Sequence, residues 1–127
     1  MANNAIITKI AREKMVRARA GVITLPKIVG MVFGDGGVDS QGVVIPPAED
    51  QTELMNELYR QEIDSYEFTD DTVCQYKCTL GEATLQGAQI SEIGMYDEEG
   101  DIVCIKSFSS KGKDSDLEMT FQVDDMF

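Results

Sequence analysis

The chain has 127 residues, of which 43% are hydrophobic and 27% charged, values typical of one soluble globular domain and not of a disordered segment. Its formal net charge of -12 would repel nucleic-acid phosphates, and no apolar run approaches the roughly 20 residues that a membrane helix needs. We therefore expect neither a nucleic acid nor a membrane as a partner. We expect synthesis in a cytoplasm, because the N-terminus has no basic-then-apolar signal pattern.

The N-terminal segment predicts a helix within residues 1–21, capped by Asn3 or Asn4 and ended by Gly21. Apolar residues at helical spacing form one narrow stripe, which could pack on the protein's own sheet or on another subunit: Ile7, Ala11, Met15 and Ala18. Residues 1–30 carry six bases against one acid, whereas the remaining 97 residues carry five bases against 22 acids. This asymmetry suggests contact between copies or with an acidic partner. The alternative is that the basic and acidic faces are both simply exposed to solvent.

Apolar runs and period-two alternation predict strands at four places further along the chain: 27–33, 62–69, 73–80 and 117–123. Residues 38–50 are predicted to form a loop, and the sequence TELMNELY predicts a short helix near 52–59. The stretch from Gly87 to Phe108 predicts a hairpin, with two apolar strands joined by an acidic turn that Gly100 closes.

These elements predict an α+β fold, in which the N-terminal helix packs on an antiparallel β-sheet or sandwich of about five to seven strands with hairpin connections. We expect a single domain over residues 1–127. Its helix occupies 1–21, and 22–127 is mostly antiparallel β-structure with the short helix near 52–59.

The segment Phe33-Gly34-Asp35-Gly36-Gly37, called the glycine segment below, has the composition of a phosphate-binding loop but fails both nucleotide-binding patterns. The dinucleotide fingerprint needs a third glycine where Asp39 stands. The P-loop needs Lys and Ser or Thr where Val43 and Val44 stand. We interpret the segment as a tight turn that uses the positive φ available to glycine.

Three acids alternate in the hairpin turn, as they do at the start of a calcium loop: Asp97, Glu99 and Asp101. The sixth and twelfth positions of such a loop need Gly and Glu, and here they are Ile102 and Phe108. We therefore interpret the turn as a hairpin loop of about four residues, with Gly100 in the left-handed conformation.

The sequence offers no positive evidence for an enzyme. Histidine is absent, which removes the commonest general base and metal ligand. The cysteines form no CxxC pair, and we interpret them as small buried hydrophobes in a reducing compartment: Cys74, Cys78 and Cys104. The spacing of the glutamates selects no catalytic pair among Glu53, Glu57, Glu62, Glu82 and Glu92. We predict no catalytic, cofactor-binding or metal-binding residue, and no cofactor.

Four short motifs follow one another along the chain: Ile7-Thr8-Lys9-Ile10-Ala11, Val32-Phe33-Gly34-Asp35-Gly36-Gly37, Leu54 to Arg60 with Ile63 beyond, and Ile90-Ser91-Glu92-Ile93-Gly94-Met95-Tyr96-Asp97. In this order, and over nearly the whole chain, they resemble the N-terminal domain of phage tail fibre proteins, the tail-collar fibre family. In that family the hairpin motif often has leucine where Met95 stands. Within this motif we expect Ser91, Glu92 and Gly94 to fix a strand and its turn.

The resemblance implies a structural component of a phage, prophage or phage-like contractile tail, which attaches tail fibres or helps to assemble the baseplate. It implies a place in the virion tail after synthesis in the bacterial host cytoplasm. The implied partners are other tail or baseplate proteins and further copies of the chain, with a homotrimer favoured. Family members commonly continue into a shaft and receptor-binding tip, so the stop at Phe127 predicts a separate adaptor subunit or a truncated fibre.

Two other classes of function stay open. The chain could be a small ligand- or carbohydrate-binding β module without catalysis, using the loops at 34–50 and 81–89, and a deep pocket with convergent polar groups would favour this class. A carboxylate-based hydrolase would need two acids that face each other across a cleft.

Overall fold

The computed structural model describes residues 4–127, and this part of the chain forms eight strands and one helix. In chain order the elements are β1 (Ala5–Ile7), α1 (Lys9–Arg19), β2 (Ile28–Gly34), β3 (Glu57–Glu62), β4 (Ser65–Asp70), β5 (Val73–Leu80), β6 (Gln89–Asp97), β7 (Ile102–Gly112) and β8 (Met119–Met126).

The strands form two antiparallel sheets that pack against each other. The larger sheet has the order β1-β7-β6-β2-β3, and the smaller has the order β4-β5-β8. Both sheets contribute to the main core, which contains Met31, Phe33, Ile93 and Met95 from the larger sheet and Cys78, Leu80 and Phe121 from the smaller. Burying apolar side chains of both sheets in one cluster is what holds the sandwich together.

The predicted α+β class is wrong. Strands account for 48% of the structure and the short helix for 9%, so the fold is closer to all-β, with two antiparallel sheets and a helix at the side. The predicted helix near 52–59 is also wrong, since residues 57–62 form β3 and pair with β2, Val32 lying opposite Arg60. The helical propensity of this segment is overridden because β3 covers an edge that β2 would otherwise expose.

Helix α1 is shorter than predicted. Thr8 caps it, because the Thr8 Oγ accepts a hydrogen bond of 3.3 Å from the N–H of Ala11. The predicted cap Asn4 precedes β1, Asn3 lies outside the described residues, and Ile7 belongs to β1. The other three stripe residues lie on the less exposed side of the helix: Ala11, Met15 and Ala18. No helix in the described part of the chain is long and apolar enough to span a membrane.

Most of the strand predictions are confirmed. Strand β5 spans 73–80 as predicted, and Cys78 and Leu80 on its inward face are fully buried. The predicted hairpin is β6–β7, and Gly100 in its turn has the expected positive φ, 87°. The predicted strand at 62–69 is instead divided between the end of β3 and β4, one in each sheet.

The two sides of the sandwich differ. On one side the chain passes from β3 to β4 through Ile63 and Asp64, whose N–H groups donate to the carbonyl oxygens of Val29 (3.1 Å) and Lys77 (2.9 Å). On the other side β1 and β8 are the outermost strands; like β3 and β4, each has one edge that pairs with no described strand, but β1 and β8 are not joined directly by the chain. A cleft of about 550 Å³, called the intersheet cleft below, lies between them.

Candidate functional site

Glu92, in the motif on β6, is a buried carboxylate that binds backbone. It is 1% exposed and accepts three hydrogen bonds, each of 2.8 Å, from the N–H groups of Gly36, Met55 and Asn56. Hydrogen bonds from N–H groups to an ionised carboxylate are among the stronger ones in proteins. Glu92 therefore ties the glycine segment and the start of the Leu54 to Arg60 motif to β6.

Gly37 marks the closest approach of the glycine segment to β6. Its N–H donates a hydrogen bond of 2.9 Å to the Ser91 Oγ, and a Cβ at this position would collide with the Ser91 carbonyl oxygen. Neither Gly34, Gly36 nor Gly37 has a positive φ, so the predicted use of positive φ in this segment is wrong. These glycines are needed because other parts of the chain lie too close to leave room for a side chain.

These contacts hold residues 35–56 against the face of the larger sheet that points away from the smaller one. Leu54 is 5% exposed and joins a second core cluster with Val32, Ile102 and Ile105. Ser91 and Glu92 thus fix the glycine segment and the following loop, and not the turn of their own hairpin. Gly94 has another role, because a Cβ there would lie 2.6 Å from the Cys104 carbonyl oxygen of the neighbouring strand.

Lys14 of α1 is inserted into the acidic turn of the hairpin. Its Nζ lies 2.7 Å from a carboxylate oxygen of Asp97, 2.9 Å from Glu99 and 2.7 Å from Asp101. Burial lowers the pKa of Lys14, but hydrogen bonds to Asp101, Asp97 and Glu99 outweigh it and hold the pKa above its ordinary value. The charged ammonium group therefore fastens the helix to the hairpin.

The three acids of the turn converge, since one carboxylate oxygen of each lies within 4.8 Å of the others. The Lys14 ammonium contacts all three carboxylates, so it provides the positive charge that such a cluster requires. The alternating acids, which resemble the start of a calcium loop, have a structural partner in the helix. The prediction that the turn binds no metal stays a prediction.

The intersheet cleft, of about 550 Å³, lies on the side between β1 and β8. Its walls include four apolar side chains, those of Ile7, Ile93, Met95 and Val123, and its charged lining residues are Lys106, Asp124 and Asp125. A second cleft of about 360 Å³ lies between α1, Leu25 and the end of β8, and it shares Ile7, Cys104 and Asp125 with the intersheet cleft. The two clefts therefore meet around Asp125.

Asp125 is a desolvated carboxylate where the two clefts meet, and none of the bases that line these clefts, Lys106, Lys14 and Arg19, forms a salt bridge with it. It forms no salt bridge with any described residue, and burial raises its pKa above the ordinary value. A positive charge brought into the intersheet cleft would offset this unfavourable burial.

The cysteines and glutamates considered as candidate catalytic residues show no catalytic arrangement among the described residues. The cysteines are all free; burial raises the pKa of Cys78 to about 11 and that of Cys104 to about 12, so both thiols stay protonated at neutral pH. Cys74 and Cys78 lie on β5 and Cys104 lies on β7, in different sheets. Among the glutamates, Glu92 binds backbone, and Glu57 forms a salt bridge of 2.8 Å with Arg60.

Sequence reasoning did not single out Lys14 or Asp125, although both left a signal. Lys14 follows Ala11 by three positions, which places it beside the apolar stripe and on the inward side of the helix. Asp125 continues the period-two series of inward residues on β8, which runs Met119, Phe121, Val123. A charge at an inward position was the available clue in both cases.

The fold and these contacts define a class of protein. In this antiparallel sandwich the buried polar groups of Ser91, Glu92 and Lys14 serve internal contacts, while the free groups lie along strand edges, as in domains that work by docking. The family model described as phage tail-collar fibre protein, N-terminal, matches residues 1–123, and the chain belongs to this family. The resemblance found in the sequence is thereby confirmed. Searches of curated proteins and of solved structures gave no match.

Membership of this family makes the chain a structural protein of a phage tail. It places the chain in the virion tail, in association with other tail proteins. Within the match, the glycine segment, the Leu54 to Arg60 motif and the hairpin motif are the three parts that Glu92 joins.

Proposed function

We propose that this chain attaches tail fibres to a contractile phage or phage-like tail, or helps to assemble the baseplate that carries them. In this proposal the chain is made in the cytoplasm of the bacterial host and then joins the virion. It acts as a homo-oligomer, with a trimer favoured, and contacts other tail or baseplate proteins.

The observation that carries the proposal is the open side of the sandwich. Strands β1 and β8 each present an edge that no described strand covers, and the apolar intersheet cleft lies between these edges. An uncovered strand edge beside an apolar groove is a surface to which an added strand can pair. The uneven charge of the chain supports contacts between copies, because a basic helix can meet an acidic body.

We infer that the role is not catalytic, in line with a structural family. Glu92 is the most deeply buried of the five glutamates considered, and its two oxygens accept hydrogen bonds from three backbone N–H groups. A carboxylate that is buried and bonded to backbone in this way serves the fold and is shielded from a substrate.

The test is to produce tail particles with and without this chain and to compare them by electron microscopy. We expect particles without it to keep their tube and sheath but to lose their fibres or an ordered baseplate. A gold-labelled copy added back should appear at the fibre-bearing end of the tail and restore the lost part. Fully fibred tails with complete baseplates in the absence of the chain would refute the proposal.

The alternative of a small carbohydrate-binding module receives no support from the loops on which it depended. The intersheet cleft and the second cleft are lined by residues of α1, β1 and β5–β8 and by four further residues: Leu25, Pro26, Ile28 and Phe127. The loop 34–50 contributes no residue to either cleft, and neither does the loop 81–89. We therefore do not advance this function.

A further inference from the structure

Residues 22–25, called the linker segment below, expose apolar side chains between α1 and β2. Val22 is 71% exposed, Leu25 is 50% exposed and Ile23 is 37% exposed. The N–H groups of Ile23, Thr24 and Leu25 make no backbone hydrogen bond with any described residue. The linker segment thus offers free donors and apolar side chains together, the two properties of a strand that has not found a sheet.

The charged residues that flank the linker segment in sequence are basic, although the Glu98 carboxylate accepts a hydrogen bond of 3.2 Å from the Lys27 N–H. Arg19 precedes it by three positions and Lys27 follows it by two, and neither forms a salt bridge with a described residue. Both residues are exposed. Any acceptor for the linker segment should therefore combine an apolar groove and a free strand edge with negative charge.

The intersheet cleft has these three properties. Its apolar walls include Ile93, Met95 and Val123, and the edge of β8 beside it is uncovered. Its charged lining is acidic on balance, with Asp124 and Asp125 against the single base Lys106. Asp125 carries its charge at a desolvated position without a salt bridge to any described residue. Strand β8 is the better of the two edges for pairing, because it has eight residues and β1 has three.

We propose that a second copy of this chain occupies the intersheet cleft, its linker segment pairing with the free edge of β8 as an added strand. The apolar side chains of the segment enter the cleft, and a flanking base, Arg19 or Lys27, approaches Asp125. The contact deepens the proposed function and rests on the part of it that concerns self-association. It names the two surfaces through which copies meet.

Each copy carries one donor segment and one acceptor cleft, and the two do not overlap in residues. They lie close together, because Leu25 lines the second cleft, which shares Asp125 with the intersheet cleft. Two copies can therefore exchange their linker segments reciprocally, and three copies can pass them around a ring. The same pairwise junction serves both arrangements.

The first experiment measures self-association of the purified full chain by sedimentation velocity over a range of concentrations. The donor variant is the double substitution Ile23→Asp and Leu25→Asp, and the acceptor variant is Asp125→Lys. Each should weaken association by about tenfold or more, since one introduces charge into an apolar junction and the other repels the flanking bases. The matched control Val16→Asp adds an acid at a helix residue that is 69% exposed and lies outside the junction, and it should associate like the wild type.

The second experiment mixes the donor variant with the acceptor variant. The acceptor variant keeps an intact linker segment and the donor variant keeps an intact cleft, so the mixture should form a one-to-one heterodimer at concentrations where each variant alone stays largely monomeric. A variant that had simply misfolded could not be rescued in this way.

Three results would overturn the inference: a wild-type chain that stays monomeric at high concentration, a mixture without heterodimer, or a Val16→Asp chain as impaired as the donor variant. A cleft filled by a different tail protein would give the first of these results. Tails that lose their fibres without the chain, while association survives both variants, would leave the proposed function standing and remove only this junction.

Discussion

The Glu92 region and the β1–β8 side both contain carboxylates and backbone N–H groups, but these groups are paired in the first region and unpaired with any described residue in the second. Around Glu92, three loop N–H groups donate hydrogen bonds of 2.8 Å to the buried carboxylate. The loop can approach this closely because Gly37 has no side chain. On the β1–β8 side, strand edges are uncovered and the Asp125 carboxylate is desolvated without a salt bridge to a described residue. Polar groups of the first region stabilise the fold, whereas those of the second have unmet interactions that a partner can satisfy.

This contrast predicts that substitutions in the first region lower stability and that those in the second act on association. The largest effect is expected for Glu92→Ala, which leaves three N–H groups without their acceptor. Unfolding by urea should show a loss of about 3–5 kcal/mol. The control Glu82→Ala removes an exposed carboxylate and should stay within about 0.5 kcal/mol of the wild type. A loss below about 1 kcal/mol for Glu92→Ala would mean that the loop is held by other contacts.

The next effect is expected for Gly37→Ala. Its added Cβ would meet the Ser91 carbonyl oxygen, so β6 and the glycine segment must move apart at a cost of about 1–3 kcal/mol. Gly81→Ala is the matched control, because no atom lies within 4 Å of a Cβ there and its φ is not positive. That variant should be as stable as the wild type or slightly more so. Equal melting temperatures for the two variants would contradict the close approach at Gly37.

A loss in the same range, about 1–3 kcal/mol, is expected for Lys14→Met, which leaves the acids of the hairpin turn without their counter-charge. Glu99 and Asp101 are partly exposed and can turn towards water, but Asp97 is 2% exposed and cannot. Arg17→Met, on the same helix, removes an exposed base with a weak contact of 3.9 Å to Glu13, and it should change little. Similar losses for both variants would show that Lys14 contributes no more than a surface charge.

Comparing the wild type with Lys14→Met at different pH values gives a further test, for which the sign of the change is fixed. The pKa of Lys14 is raised in the folded state, so its contribution is complete below the ordinary lysine value of 10.5 and declines as pH rises above it. The stability difference between wild type and Lys14→Met should therefore be constant from neutral pH to about pH 10 and shrink at higher pH. The other groups that lose protons in alkali are present in both proteins, so their contributions cancel in the difference.

The sequence was a good guide where local pattern and tertiary structure agree. Strand β5 alternates as its burial requires, the β6–β7 hairpin lies where its two apolar runs predict it, and Gly100 takes the positive φ that its turn demands. It was misleading at 57–62, where helix-forming residues become a strand because β2 needs a partner along its edge. The partners of Glu92 and Lys14 could not be predicted, since they lie between 36 and 87 positions away in the chain. Contacts of this kind depend on the completed sandwich.

The smallest effect on stability, and the one of opposite sign, is expected for Asp125→Asn. Burial raises the pKa of Asp125, so the folded state disfavours its ionised form, and asparagine should add up to about 0.5 kcal/mol at neutral pH. A raised folded pKa favours folding below the unfolded value of about 4, so the gain should vanish in acid. The control Asp124→Asn alters an exposed carboxylate next to it and should leave stability unchanged.

Self-association should weaken in the Asp125→Asn protein even as its urea midpoint rises, because the carboxylate that destabilises the single chain is the one that a second copy neutralises. A loss of more than about 1 kcal/mol in this variant would place Asp125 with Glu92 among the residues that hold the fold, and the contrast between the two regions would fail.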